Sequence, residues 1–298
     1  MKNKLKKVSY EQTRKIDGVV FISPWVIGLI VFFIRPIFNS FKYSLSDVSI
    51  DNGIVTKFVG FAQYFELLTK DTEFLPALLE AFKSLVTDVP LIIALSLFIA
   101  LLLNQEFHGR TLARAVFFLP VIVASGIVLT LFSQDSFASG MMSDNTNSAL
   151  FGANGLESIL IKMNLSSDII STLTGVVNNV FNIVWQSGIQ ILLFLSGLQS
   201  IPSSYYEAAS VEGANGWLSF WKITFPTLMP TMLVAVVYSI IDSFTYYANP
   251  VIELIDKAYL GNMRFGYASA MSWMYFLFVI IILALVFLIL GRRTKYRS

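Results

Sequence analysis

Six stretches of this chain are each long and apolar enough to cross a lipid bilayer, and nothing else in the sequence restricts its fold as much. A helix needs about 20 mainly apolar residues to traverse the hydrocarbon core. The stretches cover residues 18–34 (continuing amphipathically to Phe38), 84–103, 115–132, 170–195, 228–244 and 267–290. Inside lipid no water can satisfy backbone N–H and C=O groups, so each stretch is predicted to be helical. Composition agrees: 55% of the 298 residues are apolar, 26 are Phe and only 13% are charged, whereas soluble domains carry roughly a quarter of their residues as charges. The expectation is an all-α polytopic membrane protein. Its six-helix domain spans 18–290, between short tails at 1–17 and 291–298. Basic residues precede the first stretch, as in a secretory signal, but Arg35-Pro36 follows it in place of a small-residue cleavage pattern, so it reads as a retained span.

Lys and Arg concentrate on the cytoplasmic side of membrane proteins. With the N-terminus inside, the inner segments hold thirteen of the 21 basic residues, including Lys2, Lys4, Lys6, Lys7, Arg14 and Lys15 in the first tail. Arg292, Arg293, Lys295 and Arg297 lie in the last tail, and twelve of the 19 acidic residues fall in outer segments. Both tails are therefore expected in the cytoplasm, which requires an even number of spans. Two outer segments are long. Residues 39–83 include an amphipathic stretch, 63–82, expected as a surface helix, and residues 133–169 read as an irregular cap with one short helix at 156–163.

Several chemistries are excluded or starved of groups. The chain has no Cys and one His, His108, which lies in a basic inner loop and reads as a solvated residue. Disulfides are impossible, and metal or Ser-His-Asp sites lack their usual imidazoles. No G-x-x-x-x-G-K-[ST], H-E-x-x-H or G-x-S-x-G pattern occurs. The sequence thus leads to a chain that holds no metal or cofactor, catalyses no reaction and binds no nucleic acid.

One inner loop, 196–227, is longer than the others and carries helical signals. Pro202 precedes Ser204-Tyr205-Tyr206-Glu207, a capping-box pattern with Ser204 as cap and Glu207 reaching back. Ala208 and Ala209 continue the helix and Gly213 is placed to end it. The predicted product is a two-turn helix with a flat Ala-Ala face, bracketed by Glu207 and Glu212. Such a helix suits a cleft on a partner protein, although a plain interfacial helix would have the same composition.

The order Glu207-Ala208-Ala209, Glu212-Gly213-Ala214, Phe220, Ile223, Pro226 and Pro230 closely resembles the EAA loop of binding-protein-dependent ABC importer permeases. Glu212 stands where that family usually has Asp, and Phe225 where Leu is commoner. Further resemblances follow in order along the chain. Gly60-Phe61-Ala62-Gln63-Tyr64 is similar to the family's GxxNY opening, with Gln63 for Asn. Leu102-Leu103-Asn104, Gly109-Arg110 and Arg114-Ala115-Val116-Phe117-Phe118-Leu119-Pro120 resemble its LLN…G…R…FFLP passage, and Gly197-Leu198-Gln199-Ser200-Ile201-Pro202 resembles the lead-in to the loop. The family's Gly-Gly-Pro is replaced by Tyr246-Tyr247-Ala248-Asn249-Pro250. The subgroup resembled is the maltose and glycerol-phosphate type.

That resemblance implies the six-span type I importer permease fold and import of a sugar or polyol phosphate. It implies that Glu207, Ala208, Ala209, Ser210, Val211, Glu212, Gly213 and Ala214 form the helix that couples to an ATPase. It further implies a second, homologous permease, two ATP-binding subunits that hold ATP and Mg, and an extracytoplasmic sugar-binding protein, all at the inner cell membrane. Ionisable and amide groups inside spans usually face the bundle interior or a cavity. Ser239, Asp242 or Ser243, and Tyr246 recur on a face of the fifth span, and Asn178, Asn182, Trp185 or Gln186, and Gln190 on one of the fourth. They are candidate sugar contacts, since amides and carboxylates match hydroxyls and rings cover a pyranose face; helix-joining hydrogen bonds are the competing role. An ion-coupled secondary transporter is the alternative reading, for which one buried Asp is few.

Overall fold

A computed structural model of the chain describes residues 10–50, 54–123, 166–246 and 249–294. In order these form α1 (Tyr10–Leu29), a π-turn at Ile30–Ile34, α2 (Arg35–Ser44), strands β1 (Ser46–Ile50) and β2 (Ile54–Phe58), α3 (Ala62–Thr69), α4 (Phe74–Asn104) and α5 (Arg110–Val123). There follow α6 (Ser167–Gln186), α7 (Gly188–Gln199), α8 (Ser203–Val211), α9 (Gly216–Ser219), a π-turn at Phe220–Thr224, a single turn Phe225–Thr227 and α10 (Met229–Thr245). The order closes with α11 (Pro250–Asp256), a π-turn at Lys257–Gly261 and α12 (Phe265–Thr294).

Among the described residues, four segments are long and apolar enough to span a bilayer: Gly18–Ser44, Phe74–Asn104, Met229–Gly261 and Phe265–Gly291. A fifth is reached if the bent pair Leu173–Gln186 and Gly188–Gln199 counts as one span. The third predicted span is helical from Arg110 to Val123, and its remainder, like the short helix expected at 156–163, lies outside the described residues.

Two expectations are corrected. The surface helix predicted over 63–82 is not one helix, and its second half is the N-terminal part of the helix that carries span two. The chain breaks after α3, and the Asp71 carboxylate accepts the N–H groups of Glu73 (2.8 Å) and Phe74 (2.9 Å), starting a new 31-residue helix, α4. A short polar side chain that satisfies free N–H groups at a helix start outcompetes continuation of the preceding helix. The fourth span is not straight either. It bends by 47° between α6 and α7. Ser187 donates back to the Val184 carbonyl (2.7 Å) and Gly188 follows, a Ser-Gly pair of the kind that kinks helices.

The chain divides into two units. The first comprises Met1–Glu80 and Tyr247–Ile280. Its hairpin pairs β1 and β2 antiparallel, from Ser46 opposite Phe58 to Ile50 opposite Ile54. Tyr64 donates to Ser44 (2.7 Å), fastening α3 to the end of α2, and Gly266 lies so close to β1 that a Cβ there would stand 2.2 Å from the Ser46 carbonyl oxygen. Asn249 accepts the Val251 N–H (3.0 Å) and caps α11 with Pro250 in its first turn, a physical role for the Asn-Pro found in place of Gly-Gly-Pro. A cleft of about 310 Å³ in this unit is lined by Glu66, Asp71, Glu73, Lys257, Arg264 and Tyr267 among others. Arg264 pairs with Glu66 (2.8 Å), Lys257 reaches Glu73 (3.4 Å) and Tyr267 donates to Asp71. Partial burial pushes the Asp71 carboxyl up, but hydrogen bonds from Tyr267 and from the Phe74 and Glu73 amides, together with Arg264, prevail and hold it below the ordinary value.

The second unit comprises Ala81–Tyr246 and Ile281–Ser298. Its core gathers Ala100 and Leu103 of α4, Ile191, Phe194, Leu195 and Leu198 of α7, Ile201, and Leu228 and Ala235 at the head of α10. α7 and α10 run antiparallel, with Gly197 against Leu228 and Thr231 at one end and Gln190 bonded to Ser239 at the other. A Cβ on Gly197 would stand 2.9 Å from Leu228 Cδ2 and 2.9 Å from Thr231 Oγ1, so glycine here permits the close helix approach typical of membrane bundles.

Candidate coupling helix and translocation path

The loop between spans four and five is built as a capped helix on a rigid mount. α8 runs from Ser203 to Val211 with Pro202, in extended conformation, as its N-cap. The expected capping box does not form: Ser204 already lies inside the helix and no side chain caps the N-terminus. Proline directly before the helix moves its start one residue upstream, which puts Glu207 too far along to reach back. The predicted C-terminus does form. Gly213 takes φ +81°, its N–H reaches the Ser210 carbonyl (3.0 Å), and the Ala214 N–H reaches Ala209 (2.9 Å). These two bonds define a Schellman turn, whose left-handed position glycine occupies without steric cost.

Around α8 the side chains divide by role. Ile201 is buried at the foot of the helix, and the Tyr206 hydroxyl lies 2.9 Å from Thr224 Oγ1, itself buried. That contact ties the middle of α8 to the turn that leads into α10. Glu207, Ala208, Ser210, Val211, Glu212 and Gly213 are exposed, with Ala209 and Ala214 half-buried. Val211, an apolar side chain, is 88% exposed. The helix therefore offers small, apolar and acidic groups outward while Tyr206 and Ile201 hold it from behind. Sequence reasoning missed the Tyr206–Thr224 contact, because nothing in the local pattern links residues 18 apart.

Behind the loop, the LLN…G…R passage acquires a structural meaning. Gly109 takes φ +92°, and Arg114 Nη2 donates to the Leu103 carbonyl (3.1 Å) at the end of α4. A guanidinium on the last carbonyls of a helix meets both free acceptors and the negative end of the helix dipole.

The candidate sugar contacts are distributed unevenly. Ser239 is 1% exposed; its hydroxyl and the Gln190 amide are bonded at 2.8 Å across α7 and α10. With the amide nitrogen turned to the Gln186 carbonyl, 2.7 Å away, both ends of Gln190 are partnered. Ser239 thus joins helices, and its hydroxyl is enclosed rather than presented to a cavity. Gln186, the last residue of α6 across the bend from Gln190, and Ser243, one turn beyond Ser239 on α10, are half-buried, as are their sequence neighbours Trp185 and Asp242. Tyr246, at the end of α10, is also half-buried, and Asn182 is exposed. Asn178 lies within α6, and its side chain is outside the described residues. Ser96 of α4 donates to the Ser187 carbonyl (3.3 Å) at the bend, so the kink sits beside this polar zone and is bonded to a third helix. No cluster able to hold a metal ion is found among the described residues.

Long apolar helices, a kinked span bearing polar groups and a loop with an outward helix together describe a polytopic membrane protein. The comparisons carry this further. Residues 75–293 match the family described as "Binding-protein-dependent transport system inner membrane component". The chain is 31% identical to "Probable ABC transporter permease protein YesP" of Bacillus subtilis, over 98% of this chain and 94% of that one. It is 33% identical to "Multiple sugar-binding transport system permease protein MsmF" of Streptococcus mutans, over 73% and 71% of the two chains. In fold it is similar to a chain in the crystal structure of a bacterial ABC transporter involved in the import of the acidic polysaccharide alginate. The TM-score is 0.66 at 18% identity, with 95% of this chain and 97% of that chain covered. The chain belongs to the binding-protein-dependent transport system inner membrane components, as an ABC transporter permease.

Proposed function

We propose that the chain is the permease subunit of an ATP-driven importer that carries a mono- or oligosaccharide, or a related polyol phosphate, into the cytoplasm by alternating access. The names of its relatives support a carbohydrate: besides the multiple-sugar permease, the arabinooligosaccharide permease AraP of Bacillus subtilis is 27% identical over 95% of this chain. Six spans with both tails in the cytoplasm accommodate the charge distribution. The chain performs no bond chemistry, and ATP and Mg belong to two separate ATP-binding subunits. A second, homologous permease completes the pathway, and a sugar-binding protein delivers substrate from outside. A bacterial alginate ABC transporter of similar fold has been crystallised in complex with an alginate pentasaccharide-bound periplasmic protein, in keeping with such a partner.

The observation that carries the reading is α8 in its mount: a short helix, closed by Gly213, with small and acidic groups outward and Tyr206 bonded to Thr224 behind. Closure of the ATPase pair pushes on α8. The push reaches α7 through Ile201 and the turn before α10 through Tyr206. These two helices flank the polar zone where Asp242, Ser243, Gln186 and Trp185 meet substrate, while Ser239 and Gln190 keep them in register. Glu207 and Glu212 face basic groups of the ATPase. Glu207→Lys is expected to abolish co-purification of the ATPase while the permease stays folded; normal assembly of that variant would refute the docking role of α8.

A further inference from the structure

The loop between spans four and five has two halves of opposite character. Within Gly216–Thr227 the only charge is Lys222, and the segment carries four aromatic rings. They form one connected group: Trp217 and Trp221 have centroids 5.7 Å apart, Phe220 and Trp221 5.1 Å, and Trp221 and Phe225 5.1 Å. Clustering does not remove them from the surface. Trp217 is 71% exposed, and Leu218 and Trp221 are each 46% exposed. The segment is held firmly at both ends. Asn215 accepts the Leu218 N–H (2.9 Å) to start α9, and buried Thr224 is bonded to Tyr206.

We propose that this aromatic face lies in the headgroup layer of the bilayer and that Lys222 contacts anionic phospholipid headgroups there. Three observations select lipid over a protein partner. The segment leads directly into the membrane span that begins at Met229, so Trp221 lies about two turns from hydrocarbon. Trp combines an apolar ring with an N–H donor and concentrates at membrane–water interfaces for that reason. The charges of the loop also separate: the carboxylates Glu207 and Glu212 are on and beside α8, while the aromatic half bears only a cation. The acidic half suits a basic protein cleft and repels anionic lipid; the cationic half does the reverse. An interfacial anchor at this place gives α8 a fixed height above the bilayer, so that a push is delivered to the spans instead of tilting the loop. The inference assumes the cytoplasmic orientation of this loop given under Proposed function.

The natural absence of Cys allows single labelling sites in the full chain. Trp217→Cys, Leu218→Cys and Val211→Cys are each labelled with a fluorophore and reconstituted in phosphatidylcholine vesicles with or without phosphatidylglycerol. The quencher is a lipid bearing a nitroxide at its headgroup. Labels at 217 and 218 are expected to be quenched without ATPase present and to stay quenched when ATPase is added. The label at 211 should escape lipid quenching and become shielded by the ATPase. In the labelled Trp217→Cys background, Lys222→Gln should lower the anionic-lipid preference about fivefold. Labels at 217 and 218 that escape quenching, or that are shielded only by added ATPase, would assign this face to a protein and overturn the proposal. Quenching at 217 and 218 without shielding at 211 would leave the lipid anchor standing and remove the docking role of α8.

Discussion

Substituting Gly213 separates backbone geometry from side-chain chemistry at the centre of the loop proposed to dock the ATPase. No atom lies within 4 Å of the position a Cβ would take, so a side chain here meets no steric barrier. The cost of a substitution is therefore confined to φ +81° and to the N–H that bonds Ser210 at 3.0 Å. Alanine keeps the N–H but disfavours the left-handed region by about 1 kcal/mol, which lowers the population of the closed turn, and hence the affinity for the ATPase, about fivefold. Asparagine visits that region more readily and should stay within about twofold of glycine. Proline holds φ near −65° and has no N–H, so neither the turn nor its hydrogen bond can form, and docking should be lost. Titration of purified ATPase subunits onto the permease in nanodiscs gives the affinities directly. The predicted order is Gly, then Asn, then Ala, with Pro last. If Gly213→Pro binds as the parent does, or Asn is as weak as Pro, the turn does not present α8 and the reasoning fails.

Other perturbations probe the mount, the first unit and the polar zone. Gly197→Ala places a methyl 2.9 Å from both Leu228 and Thr231, and overpacking of this kind costs about 1–3 kcal/mol; the thermal midpoint in detergent should fall, and an unchanged midpoint would show that α7 and α10 are not closely apposed. Asp71 has a lowered pKa, so its contribution is complete above the ordinary carboxylate range and is lost as pH falls through that range and below it. The parent should lose stability on acidification through and below the ordinary carboxylate range, whereas Asp71→Asn, which keeps an acceptor for the Glu73 and Phe74 amides but carries no charge, should lose this part of the acid response; an unchanged acid profile in that variant would remove Asp71 from it. Asp242→Ala should weaken substrate uptake while ATPase co-purification is unchanged; parental uptake kinetics would remove Asp242 from the path.

The helices were legible because lipid imposes one rule on every residue of a span, and the apolar runs near Gly18, Tyr267 and Leu228 obey it without tertiary help. The end of α8 was equally legible, because a Gly that follows a short helix has a single strong local use. What local pattern could not reveal depends on competition or on distance. The start of α4 turns on Asp71 satisfying the Glu73 and Phe74 amides, a choice that the spacing of apolar residues does not register. The bend at Ser187 arises when its hydroxyl bonds Val184 and Gly188 adds freedom, whereas hydropathy reads the whole stretch as one rod. The hairpin of Ser46–Ile50 and Ile54–Phe58 was missed because it is too short to show alternation against its polar surroundings. For the polar face of span five, spacing grouped Ser239 with Asp242 correctly as neighbours on one helix. It could not show that Gln190, 49 positions away, encloses the serine and leaves the next turn half-buried.

ATP-driven uptake by the purified complex tests the central claim most directly. The permease, its homologous partner and the ATPase are reconstituted in vesicles with ATP enclosed, the binding protein is added outside, and a panel of labelled oligosaccharides is supplied. Accumulation of at least one sugar is expected only with ATP and binding protein together, and it should vanish for Gly213→Pro. Accumulation driven by a proton or sodium gradient without ATP, or undiminished in that variant, would contradict the account.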